Sequence, residues 1–70
     1  MAQIQVLKVE EGLDGRLLFS VRVAASAGRM ELPIPVLALG SAALTESAVL
    51  RSTLDFAEEL AASVRLRLGP

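Results

Sequence analysis

The sequence predicts an α+β domain in which a three-stranded antiparallel meander is followed by one long C-terminal amphipathic helix packed on one face, in the order β-β-β-α. Three observations carry that prediction. Two segments, 16–24 and 29–36, place apolar side chains at every second position, the period of a half-buried strand. Glycine-bearing turn sequences separate the candidate strands. From residue 45 onward the apolar period lengthens to steps of three and four, which is the helical repeat.

The first strand is expected over Gln3–Glu10, where β-branched and polar residues mix. Ile4 and Val6 fall on one face, whereas Leu7 and Val9 straddle both. Such a pattern calls for a bulge that switches faces or for cover on both sides. Glu11-Gly12-Leu13-Asp14-Gly15 follows, with two glycines and an aspartate able to supply the backbone conformations of a hairpin connection.

The second strand, Arg16–Ala24, sets Leu17, Phe19, Val21 and Val23 on one face and Arg16, Ser20 and Arg22 on the other, with Leu18 the exception. Its alternation makes it the central strand. Ala25-Ser26-Ala27-Gly28 reads as the next turn, and Arg29–Val36 turns Met30, Leu32, Ile34 and Val36 inward. Pro33 and Pro35 lie on the opposite face. Each proline removes a backbone donor, so this third strand belongs at a sheet edge. The same prolines discourage further pairing there, which leaves the first strand as the open edge.

A helix is expected over about 45–67. Ser41 and Thr45 compete for its N-cap, Glu46 suits the positive end of the dipole, Arg65 and Arg67 suit the negative end, and Gly69-Pro70 is a stop signal. The rival reading, a fourth strand over Ser63–Leu68, is weaker because the helical phase continues through it. Leu50, Leu54, Ala57, Ala61, Val64 and Leu68 recur at steps of four and three, and Val49, Phe56 and Leu60 widen the stripe. The resulting apolar arc spans roughly 160°, broader than a minimal core-facing stripe. A helix of about 22 residues runs about 33 Å against about 26 Å for eight-residue strands, so the helix should overhang its sheet.

Size sharpens the point. Seventy residues make a single domain, 1–70, whose core supplies about 3–5 kcal/mol at most without a staple. Cysteine and histidine are both absent, which removes disulfides and leaves only oxygen ligands for a metal. Association remains. The hydrophobic fraction is 53% with a mean hydropathy of +0.54, yet Phe19 and Phe56 are the only aromatic residues. A chain rich in Leu, Val and Ala fits self-association better than stacking on nucleic-acid bases.

Charge and motif content bound the remaining classes. Seven basic and eight acidic residues give a net charge of −1, and the scattered basic residues argue against general nucleic-acid binding. No apolar run approaches a membrane span, and Met1–Glu11 lacks the basic start and apolar stretch of a signal peptide; a cytoplasmic address is expected. Asp55, Glu58 and Glu59 have a spacing that could hold a hard cation, but no further ligands are evident and a solvated helix face explains them more simply. Glu10, Glu11 and Asp14 lack the ligand ladder of a calcium loop, and no lysine follows the glycines at 12 and 15 as a phosphate loop requires. Serines are present without a histidine base. Neither cofactor nor metal is expected.

The expected function is therefore a non-enzymatic protein-interaction module: a homo-oligomer, a dimer foremost, acting as an accessory, adaptor or inhibitor protein through helix and sheet surfaces. Its expected oligomer interface is Val49, Leu50, Leu54, Phe56, Ala57, Leu60, Ala61, Val64 and Leu68. The alternative is a small nucleic-acid-associated regulator whose dimer gathers Arg16, Arg22 and Arg29 into one basic surface; those arginines are also the expected surface for an acidic protein partner.

Overall fold

The computed structural model describes residues 1–12 and 14–69. Leu13, in the first expected turn, and Pro70, in the expected stop signal, lie outside them. Three strands, β1 (Gln3–Glu11), β2 (Arg16–Ala25) and β3 (Gly28–Leu37), precede one helix, α1 (Ala42–Leu68). The strands form one antiparallel sheet in the order β1-β2-β3, so the meander with a C-terminal helix is the fold.

Register explains which side chains meet. Directly opposed residues share a face, and Phe19, Val21 and Val23 oppose Ile34, Leu32 and Met30. Val6 and Ile4 continue that face onto β1 opposite Val21 and Val23. On the other face Leu18, Ser20 and Arg22 oppose Pro35, Pro33 and Glu31. The mixed pattern of the first strand resolves as a bulge: the pairing slips between Lys8 and Glu10, leaving Val9 without a partner. In the first turn, the Gly12 N–H donates to the Arg16 carbonyl and the Arg16 N–H donates to Asp14 Oδ1 at 3.2 Å. Gly15 adopts φ +83° there, a conformation open to glycine and strained for most residues.

The helix begins three residues before its expected start. Ser41 is the N-cap, its hydroxyl accepting the Leu44 N–H at 3.1 Å. Thr45, the competing candidate, sits one turn inside, where its hydroxyl donates to the Ser41 carbonyl at 2.9 Å and accepts the Leu39 N–H at 3.4 Å. Residues 63–68 are helical and not a fourth strand, and the Gly69 N–H caps the end on the Arg65 carbonyl.

The helix lies chiefly over β3, and its contact with the sheet is narrow. Among the described residues the buried apolar side chains are Val21, Ile34 and Val49, ringed by the half-buried Val6, Phe19, Val23, Leu32 and Val36. On α1 the buried residues are Thr45, Val49 and Thr53, at steps of four. Both threonines return their hydroxyls to the carbonyl four residues earlier, Thr53 to Val49 at 2.8 Å. That bond satisfies the polar atom within the helix and lets the rest of the side chain pack as an apolar one.

Such a thin core gives an extended molecule, 45 × 21 × 17 Å. Its Cα radius of gyration is 13.9 Å, against about 11 Å for a compact chain of this length. The accessible surface is 5726 Å², roughly a third more than the ~4,200 Å² of a folded monomer of 7.4 kDa.

Candidate interaction surface

At 100° per residue, the centre of the broad apolar stripe does not coincide with the line that meets the sheet. Taking Val49 as the sheet-facing direction, Leu50, Leu54, Ala57, Ala61, Val64 and Leu68 lie roughly 60–140° round the helix. They face sideways. Leu54 is 54% exposed, Val64 46% and Leu68 79%; Leu50 and Ala57 are also exposed, and Ala61 is half-buried. Phe56 and Leu60 stay on the sheet-facing line, within about 20° of it, yet both are exposed because they lie beyond the packed contact at Val49.

Val49 itself is a correction to the expected interface. It is completely buried between Val21 and Ile34, so it belongs to the chain's own core and offers nothing to a second chain. The hydrophobic stripe thus divides. Its margin at Val49 holds the helix to the sheet, Leu50, Leu54 and Leu68 face solvent, and Ala57, Ala61 and Val64 border an open groove beside the sheet.

Where the second half of α1 runs over the hairpin end of β2 and β3, the two layers enclose an open apolar groove of about 470 Å³. Val23, Met30 and Leu32 line it from the sheet and Phe56, Leu60 and Val64 from the helix, with Arg65 at its edge. The sheet side of this groove was not legible as a surface. Met30 falls on the inward face by alternation, as expected, but remains exposed. Ile4, on the same face of β1, is exposed as well, since the helix favours β3. These side chains offer apolar contact and shape.

The other face of the sheet is polar at the corresponding end. An open hollow of about 840 Å³ at that end is lined by Gln3, Gln5, Arg22, Ala24, Arg29 and Glu31 together with Ile4, Val23 and Met30. Arg22 pairs with Glu31 at 3.5 Å and Arg16 with Asp14 at 3.4 Å, both pairs exposed and so of small energetic weight. Register places Arg29 opposite Ala24, diagonal to Arg22, whereas Arg16 is opposite Leu37 at the far end of β2. Six residues along a strand separate Arg16 from Arg22, about 20 Å. One chain therefore brings Arg22 and Arg29 together and leaves Arg16 apart.

Asp55, Glu58 and Glu59 are exposed. Among the described residues no group of three or more carboxylates is gathered closely enough to hold a metal ion, and no helix is long and apolar enough to cross a membrane. No protein-family model, curated protein or solved structure matches the chain.

Proposed function

We propose that the chain is a non-enzymatic protein-interaction module that self-associates, serving as an accessory or adaptor protein through its helix and inner sheet surfaces. The observation that carries this reading is the solvent-facing stripe of Leu50, Leu54, Val64 and Leu68 on a helix whose hold on the sheet rests mainly on Thr45, Val49 and Thr53. Exposed apolar area costs roughly 25 cal/mol per Å² relative to burial, and a contiguous patch of this kind marks a site of association. A second copy has the same stripe and is always present at equal concentration.

The arginine reading has less in its support. Arg16 and Arg22 each sit beside a carboxylate, and Arg16 stands apart from the other two.

The test is Leu54→Asp, which puts a charge on the exposed stripe without touching the core. Its far-UV circular dichroism should match that of the unaltered chain while its mass by light scattering falls to that of one subunit. An unchanged oligomer mass in the folded variant would count against association through the helix face, and a monomeric parent chain would end the self-association reading altogether.

A further inference from the structure

The groove between the second half of α1 and the hairpin end of the sheet is walled on both sides by apolar side chains open to solvent. Met30 from β3 and Phe56, Leu60 and Val64 from the helix all line it and are all exposed. Its polar content is small. Thr53 is buried and donates its hydroxyl to the Val49 carbonyl at 2.8 Å, and among the described residues Arg65 is the one charged side chain lining the groove. Arg65 is exposed and has no ion pair among the described residues. The positions one helical turn from it are Ala61, Ala62, Leu68 and Gly69, so no carboxylate on its own face of the helix competes for the guanidinium.

We propose that this groove binds an amphiphile of the fatty-acid class, with one alkyl chain lying between the helix and the sheet and one carboxylate on the Arg65 guanidinium. Charge and polarity decide the ligand chemistry. A molecule with polar groups along its length would leave them without partners against this lining, whereas an alkyl chain needs none and gains by leaving water. A single anionic head group takes the free guanidinium in a charge-assisted, two-pronged hydrogen bond. Size and shape agree. The volume of about 470 Å³ falls within the range of about 300–1,000 Å³ usual for small-molecule sites, and the helical wall from Thr53 to Arg65 runs about 18 Å, which suits an elongated ligand. Both walls belong to the same chain, so the site does not depend on self-association.

Isothermal titration calorimetry with dodecanoate, below the concentration at which it forms micelles, tests this. Dodecanol and dodecyltrimethylammonium carry the same chain on a neutral and a cationic head. Dodecanoate should saturate at one ligand per chain and bind more tightly than either. Arg65→Gln should weaken dodecanoate about fivefold and leave dodecanol unchanged, while Arg67→Gln, outside the groove, should alter neither. Ala61→Phe, which fills the groove and is checked for fold by circular dichroism, should abolish binding, and Leu54→Asp, on the exposed stripe, should preserve it. Absence of saturable binding would overturn the proposal, as would equal affinity for the anionic and cationic heads. Binding that survives both Arg65→Gln and Ala61→Phe would place the alkyl chain on the stripe and overturn it too. If dodecanoate does not bind and Ala61→Phe lowers the mass by light scattering, a second copy fills the groove and the proposal is wrong. A monomeric mass with intact dodecanoate binding would remove the self-association reading and leave this one standing.

Discussion

Ser20 sits on β2 between Leu7 and Pro33, its opposed neighbours on the face away from the helix. Its side chain is buried, and its Oγ has no hydrogen-bond partner among the described residues. An unpaired hydroxyl in that position costs its desolvation without return. Ser20→Ala keeps the strand and removes the oxygen, so urea denaturation at fixed protein concentration should show a gain of about 1 kcal/mol; a comparable loss would mean that the hydroxyl is satisfied. Thr45 and Thr53 show the opposite arrangement. Their hydroxyls are bonded to carbonyls of their own helix, and this is why residues that read as polar in sequence can occupy the line where α1 meets the sheet. Hydrophobic periodicity identified Val49 as an apolar residue but could not show that its neighbours on the contact line would be threonines.

The strands were legible because two independent signals agreed. Alternation in β2 and β3 gave the inward faces, and the register of the structure pairs those same residues, Phe19 with Ile34 and Val21 with Leu32. Pro33 and Pro35 put β3 at an edge, where it is found. The start of α1 was less legible. Ser41 and Thr45 carry equivalent capping chemistry, and choosing between them depends on where the chain leaves β3 at Leu37, a tertiary fact. The cap gives a check at this scale: Ser41→Ala removes the acceptor for the Leu44 N–H and should cost about 1 kcal/mol in a urea titration, with some fraying of the helix signal. No change would indicate that the first turn is held by Thr45 and its bonds to Ser41 and Leu39 alone.

At the scale of the molecule, narrow packing and broad apolar display have one cause. The sheet has three strands, and the helix lies mainly over one of them, so a rod of 27 residues cannot be covered within one chain. That the helix would be long beside short strands followed from the periodicities in the sequence, and it has 27 residues against nine or ten in each strand. What could not be read there was which residues would hold the helix to the sheet: the buried contact line is Thr45, Val49 and Thr53 and not the leucines. The interface residues inferred from periodicity remain on the free surface apart from the buried Val49 and the half-buried Ala61. The arginines sit where their strands put them: six residues along one strand already set Arg16 about 20 Å from Arg22, whereas the nearness of Arg29 to Arg22 depends on the register of β3.

Sedimentation equilibrium of the unaltered chain, from low micromolar to about 100 μM, tests most directly whether the chain self-associates, as its uncovered apolar surface implies. The expected result is a mass rising to about twice the 7.4 kDa of one chain and holding there as concentration increases, as a closed two-fold pair requires. A mass that stays at 7.4 kDa across that range would contradict it.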